Sequence, residues 1–156
     1  MFRGGRSDYA FYAKRTGAST LSTARPETLW RVVTAIGGDN RYYTLGWLWW
    51  LREAIDWAIG GPGFTRGRRD PRSLRLGDTI DYWTVIGIEP ARRLTLNFGL
   101  RAPGNAVLEF EIEPRDAGGA LIGVTAYWHP QGVWGLLYWY ALVPAHGFLF
   151  ERLVRE

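Results

Sequence analysis

The sequence predicts an α+β domain, and three features of it carry that prediction. From Phe64 to His129 the chain divides into five runs of strand length separated by turn-rich pieces. Segments of helical spacing lie before those runs, and one long apolar segment follows them to the C-terminus. The links between runs are too short for parallel crossovers, which need a dozen or more residues, so the strands must pair as antiparallel hairpins. Helices kept apart from an antiparallel sheet make the α+β class.

Taken in order, Tyr9 to Lys14 alternates weakly and is expected as the first strand, with Gly17 to Thr20 as a polar turn after it. Thr23 is a candidate N-cap, and Pro26 and Glu27 suit a first helical turn. Leu29, Trp30, Val33 and Ile36 recur at helical spacing up to Gly37-Gly38, giving one short amphipathic helix. Leu45 to Ile59 is a second helix, rich in tryptophan at 47, 49, 50 and 57 and closed by Gly60-Gly61-Pro62-Gly63. The strand runs are Phe64 to Arg69, Asp78 to Ile88, Arg93 to Leu100, Ala106 to Glu113 and Ala120 to His129. In the fourth, Leu108, Phe110 and Ile112 point one way and Glu109, Glu111 and Glu113 the other, so one sheet face is expected dry and one wet. A long helix from about Val133 to Arg155 is expected to cover the dry face.

The 156 residues fit one domain whose core stands without staples. No cysteine is present, which excludes disulfides, thiolate metal sites and cysteine nucleophiles. With His129 and His146 as the only imidazoles, no metal site and no cofactor are expected. No serine sits in a G-x-S-x-G elbow, and no G-x-G-x-x-G opens a helix after a strand. Basic residues outnumber acidic ones by 19 to 15, and all but Lys14 are arginine. Arg66, Arg68, Arg69, Arg72 and Arg75 cluster, but Asp70 interrupts them and no recognition motif accompanies them, so nucleic acid is not an expected partner. Met1 to Ser7 holds no apolar h-region, which makes a cytoplasmic location the default, and residues up to about 8 are expected outside the folded unit. Pro130 to Phe150 runs for 21 residues without a charge, long enough to span a bilayer. Gln131, Pro144, His146 and three glycines within it fit a helix buried against a sheet better, and no transmembrane span is expected.

Several phrases then resemble a known family. PETLWRVVTAIGG at 26–38, GPGFTRGRRDPRSLRLGDTIDYWTV at 61–85, LRAPGNAVLEFEI at 100–112 and YWHPQGVWGLLYWYALVPAHGFLFERLVRE at 127–156 are similar to the DUF2867 family. The element order resembles the helix-grip fold of the START/Bet v 1-like superfamily, also called SRPBCC, which includes lipid-transfer domains and polyketide cyclases. The resemblance implies a single domain over residues 1–156: a curved antiparallel sheet of about six to seven strands wrapped on a long C-terminal helix, with two shorter helices after the first strand. It also implies a cavity between sheet and helix. Members of the family commonly carry the domain after an NAD(P)-binding domain of the short-chain dehydrogenase type, so a separate protein of that kind is an implied partner. The family brings no established reaction.

Candidate residues follow. Trp83, Phe98, Phe110, Trp128 and Tyr138 are the expected walls of the cavity. If the strand face carrying Trp83 and Val85 looks inward, Asp81 looks inward too, where a carboxylate serves as an acid/base or an anchor. In the alternative, Ile80, Tyr82, Thr84 and Ile86 look inward and Asp81 faces solvent. Arg68 shares a face with Arg66 and is placed to pair with Asp81 or to hold a ligand carboxylate. His146 follows Pro144, which is expected to kink or break the last helix, and an imidazole there is a second acid/base candidate. Glu109 is expected outward and His129 exposed. Tyr138, Trp139 and Tyr140 are consecutive, about 100° apart on a helix, so at least one must look away from the sheet. Three functions remain open: binding of a small apolar or aromatic molecule, an enzyme of cyclase, dehydratase or isomerase type using Asp81 or His146, and a protein or membrane-surface interaction module.

Overall fold

Among the described residues, short, turn-bounded runs of alternating side chains build one antiparallel sheet of six strands. The computed structural model describes residues 14–37, 54, 57, 67, 69–70, 73–99, 103–116 and 118–155, without the side chains at 145, 146, 148, 149, 153 and 155. The elements are β1 (Lys14–Ser22), α1 (Pro26–Thr34), β2 (Thr79–Ile80), β3 (Trp83–Glu89), β4 (Arg93–Phe98), β5 (Gly104–Pro114), β6 (Ala120–Pro130) and α2 (Gly132–Arg155). Their order across the sheet is β1-β6-β5-β4-β3-β2, and every neighbouring pair is antiparallel. The α+β class holds. The second helix expected at 45–59 and the strand expected at 64–69 lie largely outside the described residues.

The N-terminal elements differ from the sequence reading. Residues 17–20 are not a turn but the middle of β1, which pairs along its whole length with β6, from Lys14↔Trp128 to Ser22↔Ala120. Their small polar side chains give no apolar alternation, and partnership with β6 decides their conformation. A Cβ at Gly17 would meet the Val124 carbonyl oxygen, so the two backbones approach closely there. Thr23 does not cap α1. Arg25 occupies the N-cap with no side-chain bond, and its carbonyl accepts from Thr28 and Leu29. Pro26 at the first helical position needs no donor satisfied. Ser22 Oγ accepts instead from the Ala24 amide at 3.1 Å. The helix ends at Thr34, and Ile36 is buried in the segment after it.

The run expected as one strand from 78 to 88 is broken. β2 and β3 form a tight hairpin whose two-residue loop is Asp81-Tyr82, flanked by the pair Ile80↔Trp83. Asp81 takes φ = 53°, a left-handed conformation that Asp tolerates better than most residues. Farther along β3 the register shifts between Val85 and Gly87, which leaves Ile86 as the extra, exposed residue. α2 runs on through Pro144, so the break expected there does not occur.

The register sorts the side chains into two faces. On one, Val85, Leu96, Leu108 and Ala126 form a row across β3, β4, β5 and β6, and Leu94, Phe110, Val124 and Ala18 form the next. These apolar rows join Val33 and Ile36 from the α1 region and Phe150 and Val154 from α2 in one core. α2 lies over β1 and β6, and α1 reaches β5. The other face is not wet at its centre. Glu109 does sit opposite Leu108 and Phe110, as the alternation requires, yet it is 1% exposed, and its neighbours Thr95 and Thr125 are buried as well. The expectation of an outward, solvated Glu109 is therefore corrected. Alternation fixes the face, while exposure depends on what lies over it.

Candidate functional site

One end of the sheet collects aromatic side chains, and the first turns of α2 lie over its Trp128 side. Trp83 pairs with Phe98, and Ala106 pairs with Trp128, which in turn pairs with Lys14. β4 and β5 pair as far as Asn97↔Val107, so the next residues, Phe98 and Ala106, close one row: Trp83, Phe98, Ala106, Trp128, Lys14. Small Ala106 separates two aromatic groups. On one side Tyr82, Trp83 and Phe98 meet with ring centroids 5.1–5.9 Å apart. On the other, Trp128 stacks on Tyr138 at 5.4 Å and on Trp139 at 6.5 Å.

Both groups are pinned by local chemistry. The Trp128 indole N–H donates to the Gly135 carbonyl at 3.3 Å. A side chain at Gly135 would meet the Pro103 carbonyl oxygen and Pro130, so only glycine lets α2 start this close to β5 and β6. The Gln131 amide donates to the Pro103 carbonyl at 2.9 Å and holds the same corner. Across the row, the Tyr82 carbonyl accepts from the Gly99 amide at 2.8 Å, which ties the hairpin loop to the end of β4. Trp83 is 6% exposed, and its indole nitrogen is enclosed without a hydrogen-bond acceptor among the described residues. An enclosed donor without an acceptor costs about 1–3 kcal/mol.

Asp81 is buried in the hairpin loop next to this group. Its amide donates to the Gly67 carbonyl at 2.9 Å, and its Oδ1 accepts from the Gly67 amide at 3.3 Å. The residue thus tethers the hairpin to the segment at 67. Its position comes from the loop, and the strand-face argument that coupled it to Trp83 and Val85 does not apply, because Asp81 is outside both strands. Of the other sequence candidates, Trp83, Phe98 and Trp128 share the row, Tyr138 stacks over Trp128, and Phe110 lies two rows away in the core. Arg68 and the side chain of His146 are outside the described residues. His129 is exposed.

Of the clustered arginines, Arg69 is held by a carboxylate. Its guanidinium donates bidentately to Asp78, at 2.7 and 2.8 Å, and Asp78 Oδ2 also accepts from the Arg75 amide at 2.9 Å. The Arg69 hydrogen bonds, helped by the Arg75 amide, hold the Asp78 carboxyl down at about 2. A depressed carboxyl stabilises the fold above its unfolded value and loses that contribution as pH falls through its folded value. The difference in melting temperature between wild type and Asp78→Asn is therefore expected to be flat near neutral pH. It should shrink as pH falls below about 4, be mostly lost by about pH 2 and disappear only below that. Thermal melts followed by circular dichroism check this, and a difference that persists unchanged through pH 2 contradicts it.

Sequence reasoning missed Ala106, whose value comes only from the register, and Lys14, whose ammonium donates to the Tyr140 hydroxyl at 3.1 Å and lies 5.3 Å from that ring's centroid. It also missed the burial of Glu109, to which Thr95 Oγ1 donates at 3.3 Å. Among the described residues no group of His, Asp and Glu is arranged to hold a metal ion, and no helix is long and apolar enough to cross a membrane.

The same architecture recurs in solved structures. A Thermobifida fusca protein solved by NMR superimposes with a TM-score of 0.51 over 90% of this chain and 93% of its own, at 14% identity. A protein in the dynemicin biosynthetic locus gives 0.51 over 90% of this chain at 16% identity, and this chain spans 46% of its length. At such identities the likeness concerns the fold alone. No curated protein matches the chain. A family model described as "Protein of unknown function (DUF2867)" matches residues 10–153. Since that match takes in nearly all of the chain, the protein belongs to the DUF2867 family.

Proposed function

We propose that this chain is a helix-grip domain of the START/Bet v 1-like type that binds a small, largely apolar ligand between the sheet and α2. The element order and the seating of α2 on the apolar sheet face support the fold assignment. The observation that carries the function is the row Trp83–Phe98–Ala106–Trp128: two aromatic groups flank an alanine, and one of them holds an indole N–H with no acceptor among the described residues. A ligand seated over Ala106 would lie between rings on both sides, and a carbonyl or hydroxyl oxygen on it would answer the Trp83 donor. Recognition of this kind is carriage or sensing and requires no proton transfer. Asp81 serves it by fixing the hairpin that presents Trp83.

Native mass spectrometry and tryptophan fluorescence against fatty acids, sterols and polycyclic aromatics test the reading. The wild type should retain or take up at least one compound. Ala106→Trp should fill the space and abolish uptake while the near-ultraviolet circular dichroism still reports a packed core. Trp83→Phe removes the donor together with part of the ring, so it should weaken oxygen-bearing ligands about fivefold more than their hydrocarbon analogues. Uptake by Ala106→Trp equal to wild type, or no uptake by wild type across the panel, would sink the proposal.

A further inference from the structure

α2 has a second apolar face, and it looks outward. Successive residues turn by 100°, so Val133, Trp134, Leu137, Tyr140, Ala141 and Pro144 fall within an arc of about 120°. All six are exposed, Val133 at 70%, Trp134 at 76%, Leu137 at 55% and Tyr140 at 60%. The opposite arc holds Gly135, Trp139, Phe150 and Val154, which are buried. The outer stripe runs three turns, about 17 Å, without a charge, until Glu151 and Arg152 appear. We infer that this stripe seats the protein on the surface of an anionic lipid bilayer, with α2 lying in the interfacial plane. The inference is independent of whether anything binds over Ala106.

Three observations favour a bilayer over a second copy of the chain. The exposed side chains of the stripe leave on the order of 500 Å² open, at the top of the range for a single monomer. A symmetric pair of such stripes would bury about 1,000 Å², the least a stable dimer needs, and only if two convex helix ridges meshed completely. The composition of the stripe is that of a membrane interface: Trp134 and Tyr140 carry polar tips on apolar bodies, with Val133 and Leu137 between them. The charge also fits. The chain is net +4, and Lys14 stands beside the stripe with its ammonium at the Tyr140 hydroxyl, at the level where lipid phosphates lie. α2 is not apolar enough to cross a bilayer. The sheet occupies its inner face, which leaves only shallow seating.

Flotation of the purified full chain with vesicles decides the matter. Vesicles of phosphatidylcholine with about 30% phosphatidylserine should carry the wild type to the top of the gradient, and neutral vesicles should carry markedly less. Leu137→Glu changes an exposed residue, so the fold should persist by circular dichroism while flotation falls at least tenfold. Lys14→Gln should cost about fivefold on the anionic vesicles and nothing on neutral ones. On binding, the Trp134 emission should shift to the blue, and the shift should be missing in Trp134→Phe. Failure of wild type to float with either vesicle, or equal flotation of Leu137→Glu, overturns the inference. A concentration-dependent dimer in sedimentation that Leu137→Glu dissolves, with no flotation, overturns it in favour of self-association. Ligand uptake by native mass spectrometry is unaffected by Leu137→Glu in every case, which keeps the two proposals separate.

Discussion

Phe110→Ala is expected to destabilise the protein by about 3–5 kcal/mol, a large share of the stability of a domain this size. Phe110 lies between Leu94 on β4 and Val124 on β6 in the register, and all three are buried. Removing it forfeits the transfer free energy of the ring and adds the cost of the cavity. Urea denaturation should show the midpoint falling with the slope unchanged. The result also discriminates between packing and lining. A ring already bordering open space leaves little new cavity, so a loss below about 1.5 kcal/mol would assign Phe110 to the ligand space and contradict its placement in the packed core.

Gly37→Ala should cost about 2–4 kcal/mol although it adds a single methyl group. Gly37 has φ = +84°, where a Cβ crowds its own backbone, and the added carbon would meet Ile80 Cγ2 and come within 3.1 Å of Asp81 Oδ2. The buried Ile80 side chain cannot swing aside, since it is 1% exposed in the core. Gly77→Ala is the matched control: the same φ of +84°, but nothing within 4 Å of the new carbon. It should show the backbone cost alone, about 1–2 kcal/mol. Equal losses at the two positions would mean that the end of α1 does not press on the β2–β3 hairpin. Because that hairpin presents Trp83, Gly37→Ala should also weaken ligand uptake.

The second half of the chain was legible because its punctuation and period agree. Asp116 to Gly119 marks the β5–β6 turn, where Gly118 and Gly119 take φ of 86° and 77°, and the alternation of Leu108, Phe110 and Ile112 assigns their face correctly. The long helix was legible from its uncharged run, and the turning of 100° per residue required one ring of Tyr138, Trp139 and Tyr140 to leave the sheet. Tyr140 is that ring, and Trp139 is buried. What escaped the sequence is what pairing and cover decide. From Thr16 to Thr20, β1 is written in threonine, serine, glycine and alanine, and only β6 makes a strand of it. The Asp81-Tyr82 loop contains no glycine, so nothing in the run announces a reversal. The row through Ala106 exists only once the register is known, and the burial of Glu109 needs atoms from outside its own strand.

The pairing of β1 with β6 has a kinetic meaning. Every other strand pair joins neighbours in sequence, so β2 through β6 can zip as successive hairpins. β1 must instead find Trp128 from Lys14, which closes a loop of more than a hundred residues. Such a late, long-range closure slows folding, and until it happens the eleven residues of β6 present a bare edge to other chains. The N-terminal strand thus acts as a guard against intermolecular pairing, and weakening it, by proline at an inward position such as Ala18, would expose an aggregation-prone edge before it disturbed the aromatic row.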